Sequence, residues 1–220
     1  MATQLLDTDG TASMATFIMC SHHAFRRDLA CFVDALARIA AGDVSRLVAV
    51  RDEWTQFRNG LHGHHTVEDT AMFPQLLSAH PELAAAIATL DEQHREIDPL
   101  LERGDRAFAS LAVQVDEATA VIDTLIHRIG THLDTEEASV IPYLRTNKTF
   151  EAPITDETVA MYAAGFSWAT AGIATSVHAQ VFAMLPPAIV ERIPAAREQF
   201  DERCVRAWGH VHVDAAVTSA

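Results

Sequence analysis

The chain has 220 residues, 49% of them hydrophobic, and a formal net charge of −14 from 16 basic and 30 acidic side chains. That is enough apolar material for a core without staples, and an acidic balance with no Lys/Arg cluster excludes electrostatic binding to nucleic acid or to an anionic membrane surface. Cys20, Cys31 and Cys204 are odd in number and too widely spaced for a zinc finger, a redox pair or a disulfide framework, which points to a reducing cytoplasm.

Residues 1–10 carry acids and no basic stretch leading into an apolar run, so no secretory or transit peptide is expected there. Helical periodicity then takes over, with apolar residues at alternating spacings of three and four. In the first helix Ile18, His22, Phe25, Leu29, Phe32, Leu36 and Ile39 fall in one stripe that ends near Gly42. The phase takes in His22 and leaves out His23. In the second, Leu47, Val50, Trp54, Phe57, Leu61, His64 and Glu68 align, His65 and Asp69 lie beside the seam, and Pro74 predicts a kink or the approach of the end. The third opens after His80 with Pro81 early and carries Leu83, Ile87, Leu90, His94, Ile97 and Leu101, with a bend expected at Pro99. The fourth runs from about Asp116 with Ala118, Ile122, Leu125, Ile129, His132 and Glu136 in phase, and Pro142 lies close to its end. Short connections imply antiparallel neighbours, so the expected fold is all-α: an up-down-up-down antiparallel four-helix bundle over 12–150.

Beyond Phe150 the composition changes, and a helical C-terminal extension is expected over 151–208, packing on the bundle or on a partner. Thr155, Asp156 and Glu157 read as a helix start, further helices are expected over 173–185 and 194–208, and 209–220 reads as a loose tail. Residues 158–190 contain no Asp, Glu, Lys or Arg. Ser167, Thr170, Thr175, Ser176, His178, Gln180 and the Pro186-Pro187 pair interrupt that stretch, which argues against a membrane span. A packed surface, or one through which two copies pair, is expected instead.

The chemistry lies in one spacing used twice: His64 with Glu68 and His132 with Glu136 are each a histidine and a glutamate four residues apart, on one helical face. A lone histidine on an apolar stripe is usually a hydrogen-bonded core residue. Here His22, His64, His94 and His132 occupy four separate stripes, and counting along the helices puts them and both glutamates roughly 12 to 21 Å from the same end of the bundle, at ~1.5 Å per residue. Buried together, these groups would be costly unless a metal pair satisfied them. A nitrogen and carboxylate set without thiolate suits iron first, then manganese or zinc. Neither Glu-x-x-His nor His-Glu-x-x-His occurs, which sets aside ferritin-like bundles and zinc proteases.

The segments SHHAFRRDL around His22, HGHHTVEDTAMFPQL with His64 and Glu68, DEQHREI with His94, and THLDTEEASVIPYL with His132 and Glu136 together resemble the hemerythrin-like, or HHE cation-binding, family over about residues 15–150. The resemblance implies a four-helix bundle holding two non-haem iron ions, with an oxo or hydroxo bridge. Glu68 and Glu136 would bridge them, and His22, His64, His94 and His132 would be terminal ligands. Such centres meet dioxygen, peroxide or nitric oxide. The third helix departs from the oxygen carriers of the family, which have two histidines four apart where this chain has Leu90, His94 and Asp98. The missing imidazole leaves a place for water, substrate or a substitute ligand, Asp98 and His23 being the residues considered for it, and favours redox turnover or sensing over reversible carriage.

Around the ligands, Asp69 and Glu137 are candidates to hydrogen-bond the imidazoles or to be solvated flanks, and Arg26 and Arg27 are candidates to pair with them. His62, His80 and His127 read as surface residues, and His210 and His212 as part of the tail. Three functions fit: a protein that binds or senses a diatomic ligand or peroxide, a di-iron enzyme disposing of peroxide or oxidising a small molecule with oxygen, and, less readily, an iron store.

Overall fold

The computed structural model describes residues 5–151 and 153–215, and among these every regular element is helical. The first residues of the acidic N-terminus (1–4) and the end of the expected tail (216–220) lie outside the described residues. The chain forms two compact units: the described parts of Met1–Ala24, Ile141–Val205 and Gly209–Ala220 make one, and Phe25–Val140 with Arg206–Trp208 make the other. Helix α1 (Met14–Ala40) contributes to both.

In the second unit, α2 (Leu47–Val67) runs into a π-helical turn (Glu68–Met72) and on into α3 (Phe73–Ala79). The cause is local. Pro74 brings no N–H, and in a regular helix its ring would meet the carbonyl of Thr70. A wider turn relieves that clash, closed by the Phe73 N–H donating to the Glu68 carbonyl five residues back. The threonine hydroxyls stitch the same stretch, Thr66 to the His62 carbonyl at 2.7 Å and Thr70 to that of Thr66 at 2.6 Å. So Pro74 shifts the phase of the helix rather than simply kinking it, and the end follows at Ala79.

A 3-10 turn (Pro81–Leu83) starts α4 (Ala84–Ala109), which keeps Pro99 in its interior, and α5 (Val115–Ser139) packs along α4, as α2 does less extensively. The stripes read from sequence for these two helices are their buried faces. Ile87, Leu90, Ile97 and Leu101 of α4 and Ala118, Ile122, Leu125 and Ile129 of α5 are all inside. Each fully buried Leu, Ile or Phe contributes about 1.5–3 kcal/mol. Beneath them an aromatic group closes the unit: Phe32 meets Trp54, Phe57, Phe108 and Trp208 edge-on, and Trp54 stacks on Phe108 with centroids 4.5 Å apart.

The first unit holds α6 (Ile141–Leu144), α7 (Asp156–Thr170), α8 (Thr175–Ala183) and most of α9 (Pro187–Ala207). Thr155 caps α7, with Thr158 answering in a reciprocal capping box. Helix α9 begins seven residues before the expected start at Pro194, because Pro187 fits the first turn, where its missing N–H costs nothing. The uncharged 158–190 stretch packs inward: Val159, Ala163, Phe166, Ile173, Val177, Val181, Leu185 and Ile189 share one core with Phe17 and Cys20. Part of the expected tail is pinned there too, since Asp214 accepts from Arg197 at 2.8 Å and from the Gly172 N–H at 2.9 Å. No helix among the described residues is long and apolar enough to cross a membrane.

Candidate metal centre

Helices α2, α4 and α5 of the second unit bring their polar seam residues together where the π turn begins. His64 and His65 sit on the last turn of α2, Glu68 opens the π turn, His94 lies near the middle of α4, and His132 and Glu136 lie on α5. His65, Glu68, His94, His132 and Glu136 are buried, and the His64 side chain nearly so. Ligand atoms of His65, Glu68, His94 and His132 all lie within 4.8 Å of one another, and so do those of His64, Glu68 and Glu136. Glu68 stands in both sets. Its Oε1 lies 2.8 Å from His64 Nε2 and its Oε2 3.4 Å from His94 Nε2, so its two oxygens serve opposite sides. Nitrogen and carboxylate donors in two sets that share one carboxylate fit a pair of divalent cations.

A family model of the hemerythrin HHE cation-binding domain matches residues 13–144, more than half of the chain. The chain belongs to the hemerythrin HHE family. No curated protein and no solved structure matches it significantly. In this HHE domain, five of the six residues expected from sequence, His64, Glu68, His94, His132 and Glu136, converge within the second unit. The sixth, His22, is fully buried on α1, in the stretch of that helix belonging to the first unit.

The rings of the HHE site are held from outside. Asp69 Oδ1 accepts the Nδ1–H of His94 at 2.9 Å, and Gln93 Oε1 accepts that of His132 at 3.2 Å. Both rings therefore turn Nε2 inward, where the two Nε2 atoms stand 3.3 Å apart. Two lone pairs that close repel unless a proton or a metal lies by them. Glu137, the other expected flank acid, faces Arg26 at 2.7 Å, and Arg26 also reaches Asp134 at 2.7 Å. Arg27 pairs with its neighbour Asp28.

Charge follows from this packing. Burial alone would raise the Glu68 carboxyl, but the imidazoles of His64, His94 and His65 outweigh it and hold the group well below the usual carboxylate range. Burial likewise works against a charged His94, yet the Glu68 and Asp69 carboxylates prevail and raise its pKa. His65 goes the other way: burial, with His94 beside it, pushes it down to about 2. Its ring is neutral at pH 7 and keeps a free lone pair, the form that binds metal.

His65 and Gln93 are what sequence reasoning missed. The substitutes weighed for the absent histidine do not serve: Asp98 is exposed, and His23 lies beside Gly172 in the first unit. Leu90 is simply core. The residue next to His94 is His65, whose ring lies parallel to it at 3.9 Å. A signal was present, because His65 is three residues before Glu68 as His64 is four, and both intervals share a helical face.

Proposed function

We propose that this chain is a non-haem di-iron protein that binds, senses or reacts with dioxygen, peroxide or nitric oxide. The observation that carries this reading is the position of Glu68 in two ligand sets at once. A carboxylate so placed suits a bridge between two cations, and a donor set of imidazole and carboxylate suits iron, with manganese or zinc as weaker candidates. Bound there, the iron pair would supply redox chemistry toward a small oxygen-containing ligand. The protein's own part is to hold the ligands, fix the ring tautomers through Asp69 and Gln93, and keep bulk water out of the buried seam.

We assign His22 as a further ligand on the His64 side. It precedes Phe25 by one turn of α1, and the Phe25 ring lies 5.3 Å from that of His64. Residues three apart share a helical face, so a helix that sets Phe25 against His64 carries His22 on the same side. We also infer that α1, α2 with its continuation, α4 and α5 form the antiparallel four-helix bundle of the family, given the short links between them. The three cysteines are free and buried, which suits a reducing cytoplasm. Pairing of two chains through 158–190 would have to use what that stretch leaves outside, Met161 above all, and sedimentation of the full chain measures it.

Metal analysis of protein purified without added metal tests the central claim: about two irons per chain are expected, and metal-free protein that takes up no iron under anaerobic loading would end it. Peroxide consumption then separates the readings. Rapid turnover abolished in Glu136→Ala marks an enzyme, whereas a stable, reversible oxygen spectrum without turnover marks a binder or sensor.

A further inference from the structure

His65 has only 4% of its surface exposed, and neither of its ring nitrogens has a hydrogen-bond partner among the described residues. An imidazole so deeply buried ordinarily satisfies at least one nitrogen, because leaving both dry costs free energy with nothing in return. The environment of this one is made of metal-ligand types. Its ligand atom lies within 4.8 Å of those of Glu68, His94 and His132, its ring stacks on His94 at 3.9 Å and 15°, and it meets His132 edge-on at 5.2 Å. The preceding residue, His64, turns its Nε2 toward the opposite oxygen of Glu68.

We propose that His65 is itself a metal ligand, so that adjacent histidines of α2 serve different metals, His64 on one side of Glu68 and His65 on the other. This rests on the two-metal reading above. It changes the composition of the site: His65, His94, His132 and Glu68 hold one metal, and the imidazole absent from α4 is supplied by α2. Regular helix makes the doublet usable, since His64 and His65 stand four and three residues before Glu68 on α2, and Asp69, next in the chain, reaches His94. With that ligand present, a shortage of histidine no longer argues for turnover over reversible binding.

The alternative role is mechanical, with His65 a flat ring supporting His94. His65→Phe separates the two, because it keeps an aromatic ring against His94 and removes both nitrogens. Full-length wild type, His65→Phe, His65→Ala and, as a control, His62→Ala are stripped of metal, reloaded anaerobically with iron(II), and read by metal content, chelator competition and the absorption spectrum after oxidation. The expected result is that both His65 variants bind the second metal at least about 10-fold more weakly than wild type, while His62→Ala is unchanged. His65→Phe with wild-type stoichiometry, affinity and spectrum would overturn the proposal and leave the mechanical role. Wild type that fails to bind two metals refutes the reading beneath it instead. If the variants do not fold, the metal-loaded wild-type crystal structure decides: a His65 nitrogen at about 2.1 Å from a metal is expected, and a ring outside coordination distance rejects it.

Discussion

Asp69 Oδ1 accepts the Nδ1–H of His94 at 2.9 Å, and that bond decides which nitrogen of the ring faces Glu68. An ionised carboxylate only accepts, so Nδ1 keeps its proton and Nε2 is the nitrogen turned inward. Asp69→Ala removes the constraint without touching the buried seam, because the Asp69 side chain is partly exposed. Outer partners of ligating histidines are worth about 10–100-fold in metal affinity, and a loss in that range, with unchanged far-UV circular dichroism, is expected on chelator competition. Wild-type affinity in Asp69→Ala would show that packing alone orients His94.

Glu68 and Glu136 are both fully buried glutamates four residues after a histidine, yet they occupy different places. Glu68 belongs to both ligand sets and Glu136 to that of His64. Replacing each by glutamine keeps the shape and removes the charge. Glu68→Gln should lose both metals, whereas Glu136→Gln should keep the one held by His94 and His132. Metal content per folded chain measures this, and equal losses in the two variants would contradict the shared role of Glu68.

Much of this arrangement was legible in the sequence because burial and ligation obey the same helical period. The stripe that collects Leu90, His94 and Ile97 is both a hydrophobic seam and a line of sight to the candidate metal site, so one pattern reported both. His65 was not legible in that way. Its neighbour His64 already filled the seam position, and the three-residue interval from His65 to Glu68, which shares the same helical face, was left unused. The π turn that follows is set by the meeting of Pro74 with the Thr70 carbonyl, a steric event that periodicity does not register. Gln93 was hidden for another reason: it is one position off the stripe, and only the orientation of His132 reveals that its amide has a use.

Gly104 lies on the buried face of α4, where a Cβ would run into the Trp54 indole. That indole cannot easily retreat, since its Nε1–H donates to Asp105 at 2.9 Å and its ring stacks on Phe108. Glycine in a helix interior normally costs about 1 kcal/mol relative to alanine; here the sign reverses. Gly104→Ala should destabilise the protein by about 1–3 kcal/mol through overpacking, read as a lower urea midpoint at unchanged slope together with a shift in tryptophan emission. A stabilised Gly104→Ala would mean that the indole has room to move.

The metal-free protein should have its stability maximum near the ordinary histidine value of 6.5, and three neighbouring groups set it. His94 has a raised pKa when folded, so its contribution is complete below 6.5 and is lost as pH rises through the folded value. His65 is held down to about 2, so below 6.5 the unfolded chain takes a proton that the folded one refuses, and stability falls with pH. Glu68 adds to that fall, because its carboxyl is held below the ordinary value of 4.5 and its contribution is lost as pH drops toward the folded value. Urea unfolding of metal-stripped protein from about pH 5 to pH 8 should therefore trace a dome. In His65→Phe the descent on the acid side should become shallower, while Asp69→Ala should lower the curve at and below its maximum and make the alkaline descent shallower. A profile that climbs steadily through pH 8 would mean that His94 gains nothing from Glu68 and Asp69. Metal loading should reshape the same curve, since binding at His94 Nε2 displaces the proton held there and weakens as pH falls.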